Sequence, residues 1–132
     1  DWSSDVCSSD LFSYVSGDLA TAPYGSNHDI VTIGQILHSE GAERSRAMLK
    51  KAFAATAPGG TIAISEWMVT PDRTGPAPGL IFAANMLVNT DVGDTFSFEE
   101  IASWLEDAGY ANPRLEESLP CPFPLILATK KG

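Results

Sequence analysis

The sequence contains no apolar run as long as the roughly 18 residues that a membrane-spanning helix needs, so it predicts no membrane partner. Basic residues are scarce: 8 lysines and arginines stand against 17 acidic residues, which gives a net charge of −9. A nucleic-acid-binding surface needs a basic patch, so this balance argues against a nucleic-acid partner. The two cysteines, Cys7 and Cys121, have no metal-ligand spacing and provide no disulfide framework. We therefore expect no metal and a reduced, cytoplasmic setting.

Several familiar catalytic and cofactor motifs are also missing. The chain has no G-x-G-x-x-G fingerprint, no phosphate-binding P-loop and no G-x-S-x-G nucleophile turn. Gly59-Gly60 is too short to cradle a phosphate, and it reads as the end of a helix. What remains is a chain of 132 residues, 44% of them apolar, which is enough for the core of one small domain.

Residues 1–11 show neither helical nor strand periodicity, and they lack the basic and apolar regions of a secretory signal. The string Asp-Trp-Ser-Ser-Asp-Val-Cys-Ser-Ser-Asp-Leu resembles the translation of a short-read sequencing adapter. We therefore interpret residues 1–11 as a non-native, disordered leader. On this interpretation, the biological sequence begins at about Phe12 and forms a single unit over residues 12–132.

Apolar, β-branched runs alternate with helical patterns along the rest of the chain, which is typical of an α/β fold. The continuous apolar run 28–37 suits a strand buried on both faces of a parallel sheet, and the apolar segment 80–88 suits a buried helix. Ser97 and Glu100 have the spacing of a capping box, and Gly109 suits the end of the same helix. The expected strands are 12–16, 28–37, 61–69, 112–119 and 123–130, and the expected helices are 42–57, 80–88 and 98–108.

A parallel sheet with crossover helices binds its ligand at the carboxyl ends of its strands. Three triplets lie just past or at the ends of expected strands: Gly17-Asp18-Leu19, Leu37-His38-Ser39 and Glu66-Trp67-Met68. Asp18 can accept a hydrogen bond from an amino group such as that of adenine, although Asp and Gly are also ordinary turn residues. Gly17 would let a ligand approach the backbone closely.

His38 and Glu66 should meet at one rim if their strands are neighbours in the sheet. A histidine there can act as a general base, and an adjacent carboxylate can fix its tautomer and stabilise its charged form. The plainer alternatives are a histidine with a structural role and a solvated carboxylate. Bulky apolar residues follow nearby, of which Phe82 and Leu87 suit core packing, whereas Asn85, Asn89 and Asp91 either line a pocket or form the helix exit.

In their order and spacing, these pieces resemble the C-terminal half of a class I S-adenosylmethionine-dependent O-methyltransferase. The similarity is to the group of caffeate and flavonoid O-methyltransferases and their bacterial small-molecule relatives, and it covers residues 12–132. It rests on Gly17-Asp18-Leu19, Asp29-Ile30-Val31, Ile36-Leu37-His38, Pro58-Gly59-Gly60, Ile64-Ser65-Glu66, Met86-Leu87 and Ala108-Gly109-Tyr110.

The resemblance implies a set of roles. Gly17, Asp18 and Leu19 would bind the adenine end of S-adenosylmethionine, His38 would take the proton of a hydroxylated small-molecule acceptor, and Glu66 would hold that histidine. Three further residues would contact the acceptor: Met68, Met86 and Asn89.

The same resemblance implies an incomplete Rossmann-like sheet, mostly parallel with an antiparallel C-terminal strand. The first two strands of the family and its N-terminal dimerisation domain would precede Phe12, and the full-length parent would be a homodimer.

This chain departs from the family pattern at three places. Ser39-Glu40 stands where Asp-Trp is usual, Gly34 replaces a lysine of the plant members, and Thr95 replaces a second glutamate. Two alternatives therefore stay open. One is a non-catalytic binding module of the same fold, and the other is a different α/β enzyme such as a nicotinamide-dependent reductase.

We predict that residues 1–132 alone bind S-adenosylhomocysteine poorly and are inactive, because the Gly-rich loop and the ribose-binding acid of the family are not in this sequence. Isothermal titration calorimetry with the isolated chain checks this expectation. Tight binding by residues 1–132 would contradict it.

Overall fold

The structure, a computed structural model, describes residues 13–116 and 123–132. These residues form four strands and three helices. They are β1 (His28–Gly34), α1 (Leu37–Ala55), β2 (Thr56–Ser65), α2 (Ala77–Asn89), α3 (Phe98–Ala108), β3 (Ala111–Glu116) and β4 (Leu125–Thr129).

The four strands form one sheet in the order β1-β2-β4-β3. β1 and β2 are parallel, and β4 runs antiparallel to both of its neighbours, β2 and β3. Three strands therefore point the same way and the C-terminal strand opposes them, which confirms the expected α/β class with its antiparallel last strand. The carboxyl ends of β1 and β2 meet at one rim because the two strands are parallel neighbours.

The core lies between one face of the sheet and the helices α1 and α3. Ile33, Ile64 and Ile126 form a row across β1, β2 and β4, since each pairs with the next in register. Leu49 of α1 and Leu105 of α3 are fully buried in the same cluster. Buried residues alternate with partly exposed ones along the second half of β2, as expected for a strand that has one face covered by helices.

Helix α3 begins and ends where the sequence predicts. The Oγ of Ser97 accepts the backbone N–H of Glu100, and the Glu100 carboxylate accepts the N–H of Ser97. Gly109 ends the helix with a left-handed φ of 110°, and a Cβ at this position would lie 2.7 Å from the Phe53 ring. Only glycine satisfies both the conformation and the close approach.

Three expectations about packing are wrong in this structure. Residues 13–16 form no strand, and Tyr14 is 80% exposed; Phe12 and residues 1–11 lie outside the described residues. β1 is the edge strand of the described sheet and buries only Ile33, so it is not covered on both faces. α2 is not a buried helix, since only Gly79 and Met86 are buried and Leu87 is 79% exposed.

Other boundaries shift by a few residues. The expected strand 28–37 ends at Gly34, the strand 61–69 starts earlier at Thr56 and ends at Ser65, and helix α1 starts at Leu37 rather than at residue 42. The expected C-terminal pair of strands forms as β3 and β4, and residues 117–122 lie outside the described part of the chain. No described helix is long and apolar enough to cross a membrane.

We predict that Ser97→Ala lowers the free energy of unfolding by about 1 kcal/mol, because it removes the acceptor of the Glu100 N–H at a buried helix start. Urea unfolding followed by circular dichroism measures the change. Ser103→Ala on the exposed face of α3 is the control and should leave stability within about 0.5 kcal/mol. Equal stability of the two variants would show that the cap contributes nothing.

Candidate active site

His38 lies in the first turn of α1, directly after the β1 rim, and not at the end of a strand. The turn is separated from the rest of the helix at Gly41, whose φ of 70° and ψ of 171° are not helical. A Cβ on Gly41 would come within 2.7 Å of the Val92 carbonyl oxygen, so the kink and the neighbouring segment both require glycine. The kink thereby sets the direction of the short turn that carries His38.

Glu66 follows β2 and is fully buried, and each of its carboxylate oxygens is occupied. Oε2 accepts the backbone N–H groups of Leu37 at 2.9 Å and His38 at 3.4 Å. Since these are the first N–H groups of α1, the carboxylate caps the positive end of the helix. Oε1 accepts the backbone N–H of Trp67 at 2.9 Å and lies 2.6 Å from Nδ1 of His38.

The contact between His38 and Glu66 defines the state of the imidazole. A carboxylate only accepts, so Nδ1 of His38 carries the hydrogen and Nε2 of the neutral ring carries the lone pair. The side chain of His38 is 10% exposed, and no hydrogen bond to its Nε2 occurs within residues 13–116 and 123–132. The arrangement can therefore accept a proton at Nε2 and stabilise the resulting charge through Glu66.

Aromatic side chains pack beside this histidine. The rings of His38 and Phe82 make an edge-to-face contact, with their centroids 4.7 Å apart. Phe82 in turn stacks on Trp67 at 4.9 Å, and Trp67 meets the edge of Phe123 at 4.8 Å. Phe82 is half-buried, so it packs on the candidate site and is not the core residue that its sequence context favours.

The main chain of His38 is held from behind by the segment that follows α2. The Asp94 N–H donates to the His38 carbonyl at 2.9 Å, and a Cβ on Gly93 would lie 2.6 Å from that same oxygen. The Arg73 guanidinium binds the Asp94 carboxylate at 3.0 Å, and this hydrogen bond raises the pKa of Arg73 above its ordinary value. Thr95 is fully buried, and its hydroxyl donates to the Gly79 carbonyl at 3.4 Å. Since threonine has no carboxylate, this position does not supply the second acidic group that the family resemblance places here.

Gly17, Asp18 and Leu19 lie in an exposed turn ahead of β1. The Ala20 N–H donates to the Asp18 carboxylate at 2.7 Å, which is the pattern of an Asx turn. This hydrogen bond, together with the charges of Arg44 and Lys51, lowers the pKa of Asp18 below its ordinary value of 3.8. Asp18 therefore remains an anionic acceptor near neutral pH.

A cavity of about 550 Å³ extends along β1 and α1 beside this turn. Leu19 and Gly34 both line it, together with the aromatic ring of Tyr24 and the apolar side chains of Ile36 and Met48. The predicted cofactor residue Leu19 thus borders an apolar space, whereas His38 and Glu66 are not among its lining residues. The turn and the His38–Glu66 pair form two separate parts of the candidate site.

The three predicted acceptor residues are not drawn into one cluster by any described contact. Met86 is buried, and Met68 is half-buried and forms an isolated β-bridge with Phe96. The exposed Asn89 side chain donates to the Asn85 carbonyl one turn earlier in α2. Their roles in acceptor binding stay predictions.

Sequence reasoning missed several residues that shape the site. Helical spacing predicts that Lys51 lies on the polar, solvent-facing side of its helix, yet its ammonium group reaches the turn at residues 19–22. Gly93 and Asp94 hold the His38 carbonyl, and no local pattern around them signals a contact with a residue more than fifty positions earlier. The Pro-rich loop 71–79 gave equally little sign that Arg73 would pair with Asp94.

Comparison with known families decides the relationship. Residues 4–111 match the family model of the O-methyltransferase domain. The chain belongs to this O-methyltransferase family. The finding confirms the resemblance and excludes the nicotinamide-dependent reductase as an interpretation of this domain.

Individual relatives agree with this family membership. The chain is 35% identical over 99 residues to 3-hydroxy-5-methyl-1-naphthoate 3-O-methyltransferase of Streptomyces sahachiroi, covering 75% of this chain and 28% of the relative. It is 33% identical over 116 residues to the S-adenosyl-L-methionine-dependent methyl transferase PigF of Serratia sp., covering 88% of this chain and 32% of PigF.

Solved structures share the fold. PigF with SAH superposes with a TM-score of 0.77 at 29% identity, over 86% of this chain and 34% of PigF. Human N-acetylserotonin methyltransferase in complex with SAM gives a TM-score of 0.78 at 25% identity, over 88% of this chain and 33% of that protein. The chain spans about a third of the length of the relatives it matches.

We predict that neutral His38 occurs as the Nδ1–H tautomer and that Glu66→Gln removes this preference. A Gln side chain has one acceptor oxygen and one NH₂ group, so it cannot serve both the helix N–H groups and Nδ1 of His38. The loss should also cost about 1–3 kcal/mol of stability because a buried donor loses its partner.

Nitrogen-15 chemical shifts of the imidazole rings measure the tautomer in both proteins. The ring of exposed His28, which contacts the Tyr24 carbonyl, provides an internal reference that the substitution should not change. An Nε2–H tautomer at His38 in the unsubstituted protein would refute the assignment.

Proposed function

We propose that this chain is the C-terminal part of the catalytic domain of a longer enzyme that transfers a methyl group from S-adenosylmethionine to a hydroxyl group of a small molecule. One observation carries the proposal: a domain of the O-methyltransferase family holds a buried His38–Glu66 pair with Nδ1 bound at 2.6 Å and Nε2 unbonded within the described residues. That is the arrangement of an oriented general base.

The residues at the turn fit the proposed cofactor. Asp18 offers an anionic acceptor for an adenine amino group, and Leu19 offers an apolar surface beside the cavity. Gly17, at a φ of 146°, gives the backbone a shape that other residues rarely adopt. When bound, S-adenosylmethionine supplies an electrophilic methyl group on a positively charged sulfur.

His38 and Glu66 handle the proton of the acceptor hydroxyl in this proposal. The lone pair on Nε2 takes that proton as the oxygen becomes methylated, and the ring becomes positively charged. Glu66 stabilises this charge because its carboxylate already accepts the Nδ1 hydrogen and is itself fixed by three backbone N–H groups. Positioned proton transfer of this kind contributes about 10²–10⁴-fold to a rate.

The acceptor side is proposed to include Met68, Met86 and Asn89, with the ring of Phe82 beside the base. Met68 and Met86 supply adaptable apolar surface, and Asn89 an amide that can hydrogen-bond a polar group of the acceptor. A small hydroxylated molecule suits these residue types. For the full-length enzyme we propose a cytoplasmic homodimer.

A non-catalytic domain of the same fold is the second candidate, and a specific observation favours it. Thr95 and not a glutamate stands at the buried position after Asp94, so a single carboxylate orients His38 in the described part of the chain. Loss of a second carboxylate is compatible with lost chemistry. Turnover measurements on the complete protein separate this candidate from a base that needs only Glu66.

We predict that His38→Ala in the complete enzyme lowers kcat by about 10²–10⁴-fold while the affinity for S-adenosylhomocysteine stays within about twofold. The physical reason is that His38 takes the substrate proton but does not belong to the turn at Asp18. Methyl transfer to a panel of phenolic acceptors and calorimetry with S-adenosylhomocysteine provide the two readouts.

Asp107→Ala on the exposed surface of α3 is the control and should change neither quantity. If the complete protein binds S-adenosylhomocysteine but His38→Ala turns over as fast as the unsubstituted enzyme, His38 is not the base. If the protein binds the cofactor and methylates no acceptor, the non-catalytic candidate is correct.

A further inference from the structure

The side chain of Lys51 crosses from near the C-terminal end of α1 to the turn that carries Asp18. Its ammonium group donates to three backbone carbonyls, those of Leu19 at 3.0 Å, Ala20 at 2.8 Å and Ala22 at 2.7 Å. The same nitrogen lies 4.2 Å from the centre of the Tyr24 ring. An ammonium has three donors, so this side chain uses its full capacity within one turn.

The turn depends on such polar contacts because it has little else to hold it. Residues 17–21 are exposed, and none of them belongs to the buried core. Within the turn, the Ala22 N–H donates to the Asp18 carbonyl at 2.7 Å, and the Tyr24 hydroxyl donates to the Leu19 carbonyl at 2.9 Å. Lys51 binds the turn to the rigid α1 helix through charge-assisted hydrogen bonds. Arg44 of the same helix adds a longer contact, 3.5 Å from its guanidinium to the Asp18 carboxylate.

The neighbouring lysine shows that the arrangement is specific to one position. Lys50 precedes Lys51 on the same helix, is exposed, and makes no described hydrogen bond or ion pair. Lys51 is half-buried and directs its charge to carbonyl oxygens, where it also helps to lower the pKa of Asp18. Two adjacent lysines thus have different environments, and they form a matched pair for substitution.

We propose that Lys51 is a positioning residue for cofactor binding, whose ammonium group holds the turn so that Asp18 and Leu19 present their side chains to the adenine end of the cofactor. The inference rests on the proposed function, since it assigns Lys51 a role at the cofactor part of that site. Lys51 does not contact the cofactor in this proposal. It acts through the carbonyls of residues 19, 20 and 22.

The test compares Lys51→Met, Lys51→Arg and Lys50→Met in the complete enzyme. Lys51→Met keeps the aliphatic stem but removes the donors, and we expect it to weaken S-adenosylhomocysteine binding by about tenfold or more. Lys51→Arg keeps several donors and should restore the affinity to within about threefold. The backbone amides of Thr21 and Ala22, both bonded to the Asp18 carbonyl, should exchange hydrogen faster only in Lys51→Met.

The kinetic constants distinguish positioning from general destabilisation. Lys51→Met should raise the KM for S-adenosylmethionine while kcat at saturating cofactor changes by less than about threefold, because the His38–Glu66 pair is untouched. All measurements are made at a temperature at which each variant is fully folded. If Lys51→Met does not fold, Lys51→Gln, which has a shorter reach and one amide donor group, is measured against the same criteria.

The outcomes separate this inference from the proposed function. Tight binding by the unsubstituted enzyme and equal affinity in Lys51→Met would overturn the role of Lys51 and leave the proposed function intact. Equal weakening by Lys50→Met and Lys51→Met would also overturn it, since the effect would then be one of overall charge. Failure of the unsubstituted enzyme to bind S-adenosylhomocysteine would refute the proposed function, and the role of Lys51 with it.

Discussion

A buried carboxylate with four donors is the constraint on which the candidate site depends. Glu66 has no exposed surface, and an unpaired charge in such a place would be strongly destabilising. It is stable because it accepts three backbone N–H groups and the Nδ1 hydrogen of His38. The same contacts join the end of β2 to the first turn of α1 across the parallel strands. One side chain thus caps a helix, ties two elements together and orients the imidazole.

The His38–Glu66 pair and the turn with Asp18 are both bound to α1, the first through backbone N–H groups and the second through backbone carbonyls. At the start of α1, backbone N–H groups surround the Glu66 carboxylate. Near the C-terminal end of the helix, backbone carbonyls of the turn at residues 19–22 surround the Lys51 ammonium group. The non-helical Gly41 lies between them and lets the first turn follow its own direction. Behind that turn, the close packing of Gly93 and the N–H of Asp94 fix the His38 carbonyl. A single helix therefore relates the proposed base to the proposed cofactor turn.

The sequence predicts helices and strands well where the interactions that define them join residues close together in the chain. The capping box at Ser97 and Glu100 gives the start of α3 because both partners lie within one helical turn. The pair of strands at the C-terminus and the α/β class follow from the alternation of patterns, whereas the antiparallel direction of the last strand was implied by the family resemblance. Burial is predicted less well: the segment 80–88 is apolar almost all round, yet Leu87 and Val88 are exposed. Burial depends on what packs against an element, and hydropathy alone does not contain that information.

The residue types at the strand ends were readable from the sequence, because only certain side chains suit proton transfer or adenine recognition, and because motif order resembles a known family. The sequence alone thus determined the α/β class, the candidacy of His38, Glu66 and Asp18, and the family. Tertiary structure decided how these groups are held. It placed His38 on a helix and not on a strand, and it brought Oε1 of Glu66 to 2.6 Å from Nδ1 of His38. It also directed the Lys51 ammonium group to backbone carbonyls of the turn and not to solvent. The physical reason is range: these contacts join residues about thirty positions apart, and only the folded arrangement of β1, α1 and β2 sets such distances.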